Sequence, residues 1–170
     1  MLRLASYDVV FREIPSEVTL ALNLSCCPNR CPGCHSPHLQ EEVGELLDDG
    51  LFSWLLASYG DNATCVCFMG GDGEPEEVER LARIVHSRTV HSRGETGDRT
   101  RRQTRGGGLK TAWYSGRDAL PDGVRAENFD YIKLGPWVEA RGGLDSPTTN
   151  QRLFRVAEGE LIDITEMLRK

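Results

Sequence analysis

No apolar run in this 170-residue chain approaches the roughly 18 residues that a membrane span needs. The first residues also lack the basic-then-apolar pattern of a secretory leader, so the expected location is the cytoplasm, with no membrane partner. Basic charge is in short supply: 20 Lys+Arg stand against 26 Asp+Glu, a formal net charge of -6. Phosphate binding draws much of its affinity from a surplus of Lys and Arg, so this balance argues against nucleic acid as a partner. Compositional bias is missing as well. At 39% hydrophobic and 27% charged the chain is an ordinary globular one, neither disordered nor collagen-like, and its length suits one domain spanning residues 1–170.

Cysteine is what stands out. Four of the six fall within nine residues, Cys26, Cys27, Cys31 and Cys34, while Cys65 and Cys67 lie two apart in an apolar run. Thiols in a reducing compartment serve more often as metal ligands, catalysts or small buried hydrophobes than as disulfide partners. The spacing of Cys65 and Cys67 turns both to one side of a strand, where free cysteine packs as a small apolar group.

Along the chain, apolar runs over 7–12 and 18–24 are parted by Ile14-Pro15-Ser16, where proline favours a turn. In the second run Val18, Leu20, Leu22 and Leu24 share one face, and Ala21 and Asn23 on the other suggest a covered surface. Residues 25–37 hold too many breakers for regular structure and read as a loop. Val43, Leu46, Leu47, Leu51, Trp54 and Leu55 recur near helical spacing, ending at Tyr59-Gly60. A short buried strand over 64–69 leads into Gly70-Gly71-Asp72-Gly73-Glu74-Pro75 and a helix, with Pro75 suited to its first position and Glu76 and Glu77 to its positive end. Further strands are expected over 109–114 and 129–134, then a hairpin over 152–164 and a short terminal helix.

Strands alternating with helices indicate a mainly parallel α/β sheet, in which ligands gather at the carboxyl ends of the strands. The cysteine loop, the glycine loop, Ser115-Gly116 and Gly135-Pro136 each follow a strand. Parallel strands would therefore bring all four to one rim. The stretch over 87–108 stands outside the alternation, with Arg88, Arg93, Arg99, Arg101, Arg102 and Arg105 and three consecutive glycines. Nearly devoid of apolar residues, it reads as a solvated, flexible loop.

Cys27, Cys31 and Cys34 stand at offsets of four and three. Soft sulfur ligands so close together select an iron-sulfur cluster, zinc or copper(I). Pro28 and Pro32 restrict the unliganded loop, and Gly33 clears space beside the last sulfur. Structural zinc needs four ligands, so Cys26, His35 or His38 would have to complete it; in such a non-enzymatic module Cys27, Cys31, Cys34 and His38 would close the loop. A cubane cluster on three cysteines leaves one iron open instead. Spacing leaves these readings, and that of a redox or inert thiol group, open. Cys26 beside the strand end reads as a packing residue, as do Trp54, Trp113 and Trp137.

In this order, CPNRCPGCHSPHLQ, FMGGD, WYSGRD, DYIKLGPW and GGLDSPTTNQR resemble the radical S-adenosylmethionine superfamily, and within it the activating proteins of anaerobic ribonucleoside-triphosphate reductases. The likeness runs from about residue 7 to 155, interrupted by the arginine-rich stretch. It implies a small, partial and open parallel β/α barrel, since the chain is too short for a closed barrel of about 250 residues. It also implies a [4Fe-4S] cluster on Cys27, Cys31 and Cys34, whose open iron is chelated by S-adenosylmethionine. The implied oxidoreductase activity is reductive cleavage of that cofactor to install a glycyl radical on the partner reductase, with a low-potential electron donor such as flavodoxin or ferredoxin. Cofactor contacts are carried by the resemblance onto Gly33, Cys34 and His35, onto Gly70, Gly71 and Asp72, and onto Ser115 and Lys133. The inserted Gly73 departs from shorter GGDP-like forms, and Gly33 stands where the superfamily often has an aromatic residue. Each residue also has a plainer reading: a strand-to-helix turn for the glycines, and a solvent-seeking lysine for Lys133.

Overall fold

The structure, a computed structural model, describes residues 1–91 and 108–169, with the backbone alone for 88–91. Eight strands form one open sheet: β1 (Arg3–Val10), β2 (Thr19–Leu24), β3 (Glu45–Leu46), β4 (Cys65–Met69), β5 (Lys110–Tyr114), β6 (Tyr131–Leu134), β7 (Arg152–Ala157) and β8 (Glu160–Asp163). Among the described residues two α-helices accompany them, α1 (Asp49–Tyr59) and α2 (Pro75–His91). The spatial order is β3-β1-β2-β4-β5-β6-β7-β8. Its centre, β2-β4-β5-β6, is parallel, and both flanks pair antiparallel. The α/β expectation holds in this coarser form, as a mixed sheet that does not close into a barrel. "Mainly parallel" describes only the four inner strands, because β1, β3, β7 and β8 pair with their neighbours antiparallel.

Both faces of the inner strands are buried, which explains why β4 reads as an unbroken apolar run. Val66 and Phe68 point into the larger core with Leu20, Leu22, Leu24, Trp113 and Ile132, covered by Phe52 and Leu55 of α1 and by Val78, Leu81 and Val85 of α2. Cys65 and Cys67 point the other way and are fully buried with Ile14, Ala112, Tyr131 and Leu153. Ile14, from the arch between β1 and β2, is itself 0% exposed. It supplies part of the cover that Ala21 on that side of β2 implied.

Several boundaries differ from the sequence reading. The helix expected from Val43 begins at Asp49, where the Asp48 side chain accepts from the Leu51 amide at 2.8 Å as an N-cap. Leu46 instead forms the two-residue strand β3 and is exposed, and Leu47 turns inward. The apolar spacing of that segment came from two elements in succession. β1 starts at Arg3, four residues earlier than its apolar run. The terminal helix is a single 3-10 turn, Thr165–Leu168. Helix α2 continues to His91, so the first residues of the stretch read as a loop over 87–108 are helical, and 92–107 lie outside the described residues. Trp54 is half exposed, touching Tyr7 and Tyr59 by ring edges rather than filling the core. No helix of the described residues is long and apolar enough to cross a membrane.

Gly71 shows how tightly the start of α2 sits on the sheet. Its φ is +79°, and a Cβ there would lie 2.6 Å from Val78 Cγ2 and 2.9 Å from Leu24 Cδ1. The residue therefore meets a packing demand whatever else it does. Gly71→Ala is expected to lower stability by about 2 kcal/mol, from strained backbone and overpacking together; urea unfolding measures it, and an unchanged midpoint would contradict this packing.

Candidate functional site

The parallel inner strands send four loops to one rim, and a single carboxylate joins three of them. Asp72, just past the carboxyl end of β4, is 1% exposed. Its Oδ1 accepts from the Ser115 hydroxyl at 2.6 Å, and its Oδ2 accepts from the Gly116 amide at 2.9 Å and from Asn29 Nδ2 at 2.6 Å. Ser115 and Gly116 follow β5, and Asn29 lies between the first two cysteines of the loop that follows β2. Arg117 braces the same turn, donating to the Asp72 carbonyl at 2.7 Å. Gly116 has no room for a side chain: the nearest atom to an added Cβ would be Asn29 Nδ2, inside van der Waals contact.

The fourth loop enters through Lys133. At 8% exposed, its ammonium donates to the Ser115 carbonyl at 3.1 Å and to the Gly135 carbonyl at 2.6 Å. Ser115 thus bonds Asp72 through its hydroxyl and Lys133 through its backbone. Burial pulls the Lys133 pKa from 10.5 down to about 8, opposed by the negative charge of Asp72 and by Cys31 and Cys27. The same electrostatic neighbourhood acts on Cys27. Burial raises its thiol pKa, Asp72 and Cys31 add to the rise, and the backbone amides of Asn29 and Arg30 pull it back. Lys133 is therefore a buried, hydrogen-bonded cation rather than one reaching for solvent.

The cysteine loop is an excursion with its feet zipped together. Cys26 N donates to Glu41 O at 3.1 Å and Cys27 N to Leu39 O at 2.9 Å, so the loop leaves and re-enters at one place. Cys27, Cys31 and Cys34 are free thiols, each partly exposed. Cys26 corrects the packing expectation: it is exposed, because a φ of +59° turns the chain out of β2 at that point. The far side of the loop leans on the segment after β6. Trp137 Nε1 donates to Gly33 O at 2.8 Å, the exposed His35 ring lies 4.9 Å from the Trp137 ring, and the Glu139 side chain fills the space a Gly33 Cβ would need. His38 is exposed in the 3-10 turn Pro37–Gln40.

Among the described residues, no three His, Cys, Asp or Glu side chains stand close enough to grip one metal ion. Tetrahedral zinc would need its ligands drawn to about 2.3 Å of one centre, so the loop would have to tighten around it. Gly70 and Gly71 already use their carbonyls within the protein, Gly70 O accepting from Trp113 Nε1 at 2.8 Å and Gly71 O from the Glu74 amide at 2.9 Å.

Of the residues singled out from sequence, Cys27, Cys31, Asp72, Ser115 and Lys133 thus share one neighbourhood. Gly33 and His35 sit on its Trp137 side, and Gly70 and Gly71 shape its floor. Asn29, Arg117 and Glu139 went unassigned, and Trp137, expected as a packing residue, is only partly buried and holds Gly33 instead. Asn29 lay in plain view inside the cysteine spacing, but nothing in the sequence said that its amide reaches Asp72. No protein-family model, no curated protein and no solved structure matches this chain.

Lys133 gives a pH test. Its folded pKa is the lower one, so between about pH 8 and 10.5 the unfolded chain binds more protons and stability rises with pH. The full effect is roughly 3 kcal/mol. The stability of the protein relative to Lys133→Met is expected to grow by about that amount from pH 7.5 to 10.5, as measured by urea unfolding at each pH. A constant difference would show that the ammonium is solvated.

Proposed function

We propose that this chain is a radical S-adenosylmethionine activating enzyme, which installs a glycyl radical on an anaerobic ribonucleoside-triphosphate reductase. The open α/β sheet is then read as a partial barrel of that type, working in the cytoplasm with a low-potential flavodoxin or ferredoxin. One observation carries the reading: a three-thiol loop, a glycine loop and a serine turn meet through Asp72 at the carboxyl ends of adjacent parallel strands, where α/β proteins bind ligands.

The donor set suits a [4Fe-4S] cluster in kind. Three free, partly exposed thiols lie on one loop, soft ligands of the sort iron-sulfur clusters take. Cys27, Cys31 and Cys34 would hold it, and a bound cluster would relay one electron from the low-potential donor to S-adenosylmethionine for reductive cleavage of its sulfonium. The protein's part is to bind and orient. Lys133 has one N–H beyond the two it gives to carbonyls, and that donor suits a carboxylate. Asp72 balances Lys133 and keeps a buried cation tolerable. Gly33 and His35 offer a backbone edge and a ring beside the last cysteine. Burial on both faces of the inner strands keeps water from beneath the site.

Anaerobic reconstitution tests the proposal. The full chain is expected to turn brown with about four irons per chain, and once reduced to release methionine and 5'-deoxyadenosine from S-adenosylmethionine. Cys31→Ala is expected to lose both properties. A colourless protein holding one zinc would overturn the proposal in favour of a closed metal module.

A further inference from the structure

Asp72 has four lone-pair positions, and three are taken by Asn29 Nδ2, Ser115 Oγ and Gly116 N–H. Two of those donors belong to the β5 turn and would hold Asp72 whatever the cysteine loop did. Asn29 is different. It stands two residues after Cys27 and two before Cys31, on a loop otherwise anchored at its feet and on its far side. Its contact is the one side-chain hydrogen bond described between the first cysteine span and the glycine loop. It is also charge-assisted, and so among the stronger kinds. Arg30, the next residue, has a φ of +43°, a conformation L-residues adopt at a cost. The Asn29 hold stands beside it, along with the Arg30 guanidinium 4.0 Å from Glu41 and Gln40 Nε2 donating to the Cys31 carbonyl at 3.5 Å.

We propose that Asn29 is a positioning residue: through Asp72 it fixes the span between Cys27 and Cys31 over the ends of β4 and β5, preassembling the thiol face before any cofactor arrives. The role rests on the function proposed above in taking these thiols as ligands, but its first measurement does not depend on that function. Preassembly matters because a site ordered in advance spends less binding energy on ordering its loop. The absence of a side chain at Gly116 belongs to the same device, since any Cβ there would push Asn29 off the carboxylate.

The test is the alkylation rate of each cysteine in the metal-free full chain, read by mass spectrometry after timed iodoacetamide exposure. Asn29→Ala is expected to speed labelling at Cys27 and Cys31 roughly tenfold, the scale of one charge-assisted hydrogen bond. Cys34, held from the Trp137 side, should change least, and the buried Cys65 and Cys67 should stay unlabelled. Equal rates at Cys27 and Cys31 in variant and parent overturn the proposal. Labelling of Cys65 and Cys67 would mean the variant has unfolded. The milder Asn29→Ser, whose shorter side chain falls short of Asp72, then decides: faster labelling at Cys27 and Cys31 with Cys65 and Cys67 still unlabelled supports the positioning role, and unaltered rates overturn it. Iron reconstitution separates the two claims. A parent protein that takes up no iron overturns the functional reading while the labelling result stands, and a parent that loads iron with unaltered labelling in Asn29→Ala overturns the positioning role alone.

Discussion

The rim of this sheet depends on one buried carboxylate. Asp72 leaves water almost completely, a move that costs several kcal/mol for a lone anion, and the protein offsets the cost with three donors from two different loops. The compensation has a structural result. Two donors come from the turn after β5 and the third from the cysteine loop after β2, so Asp72 ties both to the turn after β4. Lys133 completes the arrangement from β6, bringing a buried positive charge to the carbonyls of Ser115 and Gly135. A cation and an anion that would each be costly alone stand near one another in a low-dielectric region, each held by its own hydrogen bonds.

Topology makes that meeting possible. Parallel pairing of β2, β4, β5 and β6 sets Asn23 beside Met69, Met69 beside Tyr114 and Tyr114 beside Lys133, so the segments that follow emerge side by side. Antiparallel neighbours could not do this, since their carboxyl ends alternate between the two edges of the sheet. The chain reverses into β7 through the rim segment 135–151, which carries Gly135, Trp137 and Glu139. The flanking strands widen the sheet and provide Leu153 and Phe154, which cover the ends of the two cores.

Much of this was legible in the residues. The breaker-rich cysteine segment, Gly70-Gly71-Asp72 and Ser115-Gly116 each announced a loop after an apolar run, and the parallel-sheet rule then predicted a common rim. The paired burial of Cys65 and Cys67 followed from their spacing. Other features were not legible because they depend on contacts far apart in sequence. The Asn29 amide meets Asp72 forty-three residues away, and Trp137 reaches Gly33 across one hundred and four. The helix start at Asp49 was obscured because β3 and α1 contribute apolar residues in a spacing that imitates one helix. The left-handed turn at Cys26 carries no sequence mark, as it falls on a residue other than glycine.

The two filled faces determine where a ligand or partner must approach. On the side away from the helices, Ile14, Tyr131 and Leu153 pack against Cys65, Cys67 and Ala112, and the Tyr114 hydroxyl donates to the backbone of Glu13 in the arch. The core beneath the rim is therefore filled by the chain's own side chains, while a cleft of about 310 Å³ opens beside it, lined by Arg12, Glu13, Tyr114, Leu144, Asp145 and Leu168. Also accessible is the crest formed by the cysteine loop and the segment from Trp137 to Glu139, where the partly exposed thiols and the exposed His35 ring lie over the buried Asp72, Ser115 and Lys133. A macromolecular substrate of the kind proposed would present an exposed loop to that crest from above. The arch and the cysteine loop, both attached to β2, thus divide the work: one fills the sheet from below, and the other carries the reactive side chains above it.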